Sequence, residues 1–372
     1  MRTGWDAIHV FSSNIELLLT EAVAPFLETM NEFLQHGFWE RHYAGGAHVR
    51  VRVLSVPRHR EMVLATLRER LTQWVAHNPS PGVDDYSPAR AARLLREEGV
   101  DPATEDLTYR VNALADAVYP EKGKPFASER AREISEDFRR RRGPLAIQLM
   151  QERESRRDLL LQFFFLLALQ NGGGSYVRGS VSYKSHWEGF YSVFPEDAFL
   201  TRVAKSYEEH RDHLSSVAEA LRRQWQENRP FDHPLLGQWR ELLREFATLV
   251  TAALESGHPL IGSIPDGPVF AAHRAQLAQS IRRPSVFVEA LWSDDRFMTS
   301  LADDILFQRP RALVNLLYEL LATLGVTPLE KMVFCHHAFR TVEDLHGTLL
   351  EEQLKINMTA VIERHRQRTT DA

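Results

Sequence analysis

The segment His48-Val-Arg-Val-Arg-Val-Leu54 places chemistry-bearing side chains at alternate positions. In an extended strand that alternation sends Val49, Val51 and Val53 to one face and His48, Arg50 and Arg52 to the other. The valine face suits a core. The opposite face presents a row of nitrogen donors, and guanidinium forks match carboxylate or amide oxygens. The same pattern also describes the solvated face of an antiparallel sheet, and spacing alone does not separate the two readings.

A second grouping lies between Gly172 and Phe190, where Tyr176, Arg178, Ser182, Tyr183, Lys184, Ser185 and His186 follow a glycine-rich turn. Hydroxyls and acid–base groups this close together are what a proton-transfer site needs. Tyr176 to Tyr183 reads as a short strand. Ser185-His-Trp-Glu188 has capping-box spacing, so Ser185 can equally well start a helix. The glycines are too loosely spaced to cradle a phosphate.

Three further features receive plainer readings. His336-His337 sits among Met332, Val333, Phe334, Phe339 and Leu345, and adjacent helical residues point about 100° apart. At most one of the pair faces a given site, and a structural role is expected. The run Asp137-Phe-Arg-Arg-Arg-Arg142 reads as a solvated helix face with cations toward its C-terminus, although an acidic peptide leader can use such a surface. The chain contains neither a His-Glu-x-x-His zinc motif nor a Gly-x-Ser-x-Gly nucleophile elbow. No catalytic metal and no cofactor are expected.

The elements that must hold these residues follow from periodicity. Trp5 to Phe11 reads as a strand, and Ser13-Asn-Ile-Glu16 as a capping box. From Ile15 the apolar residues keep helical spacing through Leu34, and Gly37 ends that helix. Phe38 to Tyr43 and His48 to Leu54 form a hairpin across Ala44-Gly-Gly-Ala47, and a helix spans 60–77. Asn78 to Pro88 and Pro120 to Pro125 are irregular. Helices then dominate, over 128–142, 143–170, 200–228, 235–256 and on to about Gln367. The fold class is therefore α+β, a small antiparallel or mixed sheet from the N-terminal half packed with many helices, with a helix-rich C-terminal half. No linker composition marks a boundary, so residues 1–372 are expected to form one domain.

The chain has 372 residues, 44% hydrophobic and 26% charged, enough for a sizeable core. A net charge of -5 argues against a nucleic-acid scaffold. The single cysteine, Cys335, excludes an intramolecular disulfide framework and fits a reducing compartment. The N-terminus carries no apolar signal region, and the longest apolar run, Phe163 to Leu169, is far short of a membrane span. These features point to a cytoplasmic protein with neither membrane nor nucleic acid as partner. They leave a homodimer open.

The opening resembles the elimination domain of lantibiotic dehydratases, also found as the thiopeptide-type bacteriocin biosynthesis domain. The residues that carry the resemblance are Trp5, the helix from Ile15, Phe38-Trp-Glu-Arg-His-Tyr43, the turn Ala44-Gly-Gly-Ala47 and His48-Val-Arg-Val-Arg52. Tyr119-Pro-Glu121 and the helices after Glu129 extend it. His42 departs from the arginine usual before the tyrosine, and an Arg-Tyr-Gly-Gly segment is missing. The family's His-Met-His-x-Asn-Arg-Leu motif finds its best counterpart at Asn315 to Glu330, where the histidines are absent; a weaker register on Cys335 to Arg340 keeps one. That loss weighs against glutamate elimination. Ser182 to Phe190 looks more like the stand-alone pyridine synthases of thiopeptide pathways.

The resemblance implies a cofactor-independent enzyme that joins two dehydroalanines of a ribosomal precursor peptide by a formal [4+2] cycloaddition, with loss of water and the leader peptide. It implies Tyr183 and His186 as proton-transfer groups, Ser185 as a hydrogen-bond donor, and His48, Arg50, Arg52 and Arg178 on the substrate. The alternatives are a glutamate-elimination subunit of a split dehydratase, with Arg50 and Arg52 gripping the departing carboxylate, and a non-catalytic precursor-binding partner.

Overall fold

The computed structural model describes residues 4–82, 86–97, 101–119, 126–261, 279–292, 297 and 304–370. The chain divides into two compact units. The first comprises residues 1–125, 135–152 and 322–325, and the second 126–134, 153–321 and 326–372.

The first unit is built on four antiparallel strands in the order β2-β3-β1-β4. These are β1 (Trp5–Phe11), β2 (Leu34–His42), β3 (His48–Ser55) and β4 (Ala113–Ala117). Between β1 and β2 run the short helices α1 (Ile15–Leu18) and α2 (Ala24–Thr29), joined by a π-helical turn over Leu19–Val23. Helix α3 (Arg60–His77) packs against β1 and β4 and buries Val63, Leu67 and Leu71 at i, i+4, i+8 spacing. Helix α4 is Pro88–Glu97, and helix α5 (Glu129–Gln151) gives the unit its residues 135–151.

Register fixes what each sheet face carries. Val51 pairs with both Ile8 and Trp39, and Val49 with Val10. Ile8, Val10, Val49, Val51 and Val53 are all fully buried, so this is the hydrophobic face. On the other face Arg50 lies between His9 and Glu40, His48 between Phe11 and His42, and Arg52 between Ala7 and Phe38. The β2–β3 turn uses Gly45 and Gly46 at positive φ. A side chain at either would strike the carbonyls of Asp106 or Arg110, because the coil 105–110 lies directly on this turn. Arg110 N–H donates to Gly45 O at 2.8 Å, and the Tyr86 hydroxyl bridges Gly45 N–H and Leu107 O.

The second unit is helical: α6 (Arg156–Asn171), α7 (Tyr176–Gly179), α8 (Val181–Val193), α9 (Asp197–Gln226), α10 (Pro234–Glu255), α11 (Val286–Trp292), α12 (Ile305–Thr323), α13 (Pro328–His346) and α14 (Leu350–Thr370). Ten of the eleven residues of α6 from Leu159 to Leu169, all but Gln162, are buried, which marks it as a central helix wrapped on all sides. Trp239 of α10 stacks on Phe163 at 5.0 Å.

Several local expectations are corrected. Ser13 does not cap a helix; Asn14 occupies that position without a side-chain bond, and Ser13 N–H donates to Ser80 Oγ. The first helical stretch ends at Thr29, and Leu34 already belongs to β2, so an extended segment continued the helical apolar spacing by coincidence. Tyr176 to Tyr183 is two helical pieces rather than a strand. The reason is local and tertiary: Ser175 caps α7 by accepting Arg178 N–H, and Gly179 lets α7 sit directly on the Ala168 carbonyl of α6. Ser185 is interior to α8 and starts no helix. Residues 143–151 continue α5 through Pro144 instead of opening a new helix. The irregular stretch 120–125 lies outside the described residues, as do Val83 to Asp85.

Candidate active site

Two clusters concentrate polar chemistry, one within each unit. In the first unit the arginine-bearing face of β3 is not solvated: His48 is 1% exposed, Arg50 6% and Arg52 0%. Arg50 spends its donors on close neighbours, while Arg52 makes longer contacts. Arg50 donates from Nη2 to Glu105 Oε2 at 2.6 Å and to His42 Nδ1 at 3.0 Å, and from Nε to His48 Nε2 at 3.2 Å. Arg52 Nη1 lies 3.3 Å from His9 Nε2, with Glu40 at 3.9 Å and the Tyr119 ring centroid at 5.0 Å. From α5, Arg139 Nη1 meets Glu40 Oε1 at 3.2 Å, and Glu136 accepts the Tyr119 hydroxyl at 2.9 Å.

These contacts decide the protonation of the imidazoles. An arginine only donates, so each ring nitrogen it faces must present a lone pair. His48 is therefore bare at Nε2 and donates from Nδ1 to Gly46 O at 2.8 Å. His9 is bare at Nε2 and His42 at Nδ1. Burial, reinforced by Arg50, pushes His9 down to about 2 and His48 to about 3. His9 and His48 stack at 4.9 Å, which two imidazolium rings would resist. Arg52 is pulled down to about 10 by burial, with Glu40 opposing. The face is a neutral-base and guanidinium lattice, and its half-buried members His9, Glu40, His42 and Glu105 form its outer edge.

In the second unit the cluster centres on His186 of α8. Its Nδ1–H donates to Ser182 O at 2.7 Å, one turn back, so Nε2 carries the lone pair and has no hydrogen bond among the described residues. The Tyr318 hydroxyl of α12 lies 3.2 Å from both His186 Nδ1 and Cys335 Sγ of α13. Lys331, one turn before Cys335, places Nζ 4.6 Å from the Tyr318 ring centroid. Burial drives His186 down to about 4, with Lys331 and Arg311 adding to the effect. Burial raises Cys335 to about 11 and Tyr318 well above the usual phenol range. At neutral pH the His186 imidazole is uncharged with Nε2 bare, and as imidazolium it would be an acid of carboxylic strength.

Nearby, Lys184 Nζ reaches Glu343 Oε1 at 2.7 Å and Glu351 Oε1 at 2.8 Å. Among the described residues no group of three or more His, Cys, Asp or Glu is placed to hold a metal ion. No helix among them is long and apolar enough to cross a membrane.

The structure thus gathers His48, Arg50 and Arg52 in one unit and His186, Tyr183 and Ser185 on α8 in the other. Ser185 is half-buried beside His186. Tyr183 is fully buried, and its hydroxyl donates to Phe164 O at 2.9 Å, a core assignment that holds α8 to α6. Arg178 is exposed on α7, beside Gly173 rather than His186. His336 and His337 are both buried, His336 at 4.5 Å from the Trp187 ring and His337 facing Ser206. The run Asp137 to Arg142 is only half a solvated face: Arg140 and Arg141 pair with Asp137, while Arg139 and Arg142, three apart, turn inward. Sequence reasoning missed His9, Glu40, Glu105, Tyr318 and Lys331. His9 was legible only as the alternate of Ala7 and Phe11 in β1, and nothing short of the tertiary fold joins Tyr318 to His186.

Two solved structures share this fold over nearly their whole lengths. The pyridine synthase TbtD from thiomuracin biosynthesis matches with a TM-score of 0.69 and 20% identity, over 92% of this chain and 99% of that one. TsrL matches with a TM-score of 0.66 and 18% identity, over 96% of this chain and 97% of that one. A search of curated proteins found no match. The family model for the C-terminal part of lantibiotic biosynthesis dehydratases matches residues 5–342, and the chain belongs to that family.

Proposed function

We propose that this protein is a thiopeptide pyridine synthase acting, in the cytoplasm and with no added cofactor, on a leader-bearing ribosomal peptide that contains two dehydroalanines. The observation that carries this reading is fold correspondence with a stand-alone pyridine synthase over 99% of that enzyme's chain. Family membership over residues 5–342 supports it, as does a neutral, half-buried imidazole with a bare nitrogen.

The chemistry needs no net redox change. The amide next to one dehydroalanine passes to its iminol tautomer, giving a 2-azadiene. The second dehydroalanine supplies the two-carbon partner, and two C–C bonds close a six-membered ring. The hydroxyl then leaves as water and the leader as its carboxamide, which makes the ring aromatic. Alignment of the two alkenes supplies roughly 7–11 kcal/mol of barrier in well-oriented cases. A positioned acid–base group adds about 10²–10⁴-fold. His186 is the proton-transfer group in this scheme, with Ser185 as a neighbouring donor. His9, His42, Glu40 and Glu105 read the peptide at the edge of the sheet, and Arg50 and Arg52 hold them from behind.

The test is mass spectrometry of a leader-bearing, bis-dehydroalanine peptide incubated with the pure protein. A dehydrated, cyclised core together with a free leader carboxamide is the expected result. Unchanged peptide, with turnover of a glutamylated precursor instead, would transfer the assignment to glutamate elimination; binding without any turnover would make the protein a precursor-binding partner.

A further inference from the structure

Helix α12 carries two half-buried guanidiniums, Arg309 and Arg311, on either side of Pro310. Arg311 precedes Tyr318 by seven residues, almost two full turns, so both lie on one face of the helix. Tyr318 in turn touches His186 through its hydroxyl at 3.2 Å and lies under Lys331 of α13, whose Nζ is 4.6 Å from the ring centroid. The side chains of Arg311 and Lys331 make no ion pair or hydrogen bond among the described residues. That is unusual for half-buried cations, since burying a charge is costly unless an anion compensates it. Burial lowers Arg311, and among the described residues no carboxylate offsets the shift. Lys331 of α13 thus sits over the tyrosine that touches a neutral histidine, Arg311 stands two turns earlier on that tyrosine's face of α12, and among the described residues neither has an anionic partner.

We infer that Arg311 and Lys331 form an oxyanion-holding pair that receives the amide oxygen while His186 Nε2 takes the amide proton. The inference rests on the pyridine synthase reading and specifies its first step. The N–H bond breaks and its proton goes to Nε2. The N–H electron pair becomes the C=N bond, and the carbonyl π pair moves onto oxygen, giving an imidate anion. Arg311 and Lys331 hold that oxygen. Return of the same proton from Nε2 to the oxygen completes the iminol, so the step consumes nothing else. Tyr318 faces the imidazole with Cys335 behind its hydroxyl, and both remain protonated.

Formate shares the planar three-atom geometry of the imidate and is the probe. In full-length protein labelled with ¹³C-histidine, the His186 signal is identified by its loss in His186→Gln. Formate is expected to raise the His186 pKa in the wild type and to leave it unchanged in Arg311→Met and Lys331→Met. Without formate, each of those variants is expected to raise it above about 4, because a depressing cation is gone. On the bis-dehydroalanine peptide each is expected to lower kcat by about 10²-fold, the loss typical of an oxyanion donor, with a smaller change in KM. Arg309→Met, some 200° around the helix from Arg311, keeps wild-type turnover. A wild type that responds to formate but closes no ring would remove the pyridine synthase reading and leave the anion site standing. A formate-silent His186, or Arg311→Met and Lys331→Met turnover within threefold of wild type, would overturn the inference.

Discussion

Mild acid should destabilise this protein well before its carboxylates titrate. The best-buried histidines, His48, His336 and His337, have folded-state values of about 3, 3 and 4, against 6.5 unfolded. A histidine lowered by folding binds fewer protons in the native state than in the unfolded one. Its contribution is therefore complete above the unfolded value and is lost as pH falls from 6.5 toward the folded value. At pH 5 each such group has cost about 2 kcal/mol. His336 and His337 together remove about 4 kcal/mol from the helical unit, a large part of a typical total of about 5–15. Glu188 acts in the opposite sense, since burial raises it and protonation relieves it, but it is one group against several. The assay is urea unfolding between pH 7.5 and 5, followed by tryptophan fluorescence and far-UV circular dichroism together. With a slope of about 3 kcal/mol/M the midpoint should fall by about 1 M. A midpoint constant to about 0.2 M across that range would refute the neutral, buried state of these imidazoles.

Three further outcomes follow from the same geometry. His186→Ala should reduce ring formation by about 10²-fold or more while leaving far-UV circular dichroism unchanged, and turnover within twofold of wild type removes His186 from the scheme. Lys184→Met removes the ammonium that buried Glu343 and half-buried Glu351 share at 2.7 and 2.8 Å; Glu343 keeps Arg340 at 3.1 Å, so the loss should be about 1–3 kcal/mol. The double variant with Glu343→Leu should recover part of that loss, and strict additivity would show the pair is not coupled. Gly179→Ala drives a methyl into the Ala168 carbonyl and should cost about 1–3 kcal/mol by chemical denaturation; a neutral result would mean α6 and α7 separate freely.

The strands β1, β2 and β3 and helix α3 were legible because their side chains alternate or recur at the period of the element that forms. Strand β4 was not. Its sequence, Ala-Leu-Ala-Asp-Ala, has weak strand propensity, and it is extended because β1 offers it an unpaired edge. Tyr-Val-Arg-Gly-Ser-Val-Ser-Tyr has aromatic and β-branched residues at strand spacing, yet the Ser175 cap and the approach of Gly179 to α6 override that preference. The row of His48, Arg50 and Arg52 was visible, but its burial was not, because burial depends on Glu105 from a coil and Glu136 and Arg139 from α5. His186 stood out in the sequence as a candidate proton-transfer residue; its neighbour Tyr318, itself under Lys331, stands more than 120 positions away and meets it only through helix packing.

The coil 105–110 has a consequence beyond its place on the β2–β3 turn. It delivers the carboxylate that meets Arg50 at 2.6 Å, at the half-buried edge of a sheet face whose His48, Arg50 and Arg52 are buried. Lifting the coil would strip Arg50 of that partner as well as break the backbone bond from Arg110 to Gly45. The coil therefore opens only together with the sheet's own charge lattice. In hydrogen exchange, the amide of Arg110 should share the opening free energy of β3 rather than that of a surface loop, so that a segment with no regular structure behaves as a fifth member of a four-stranded sheet.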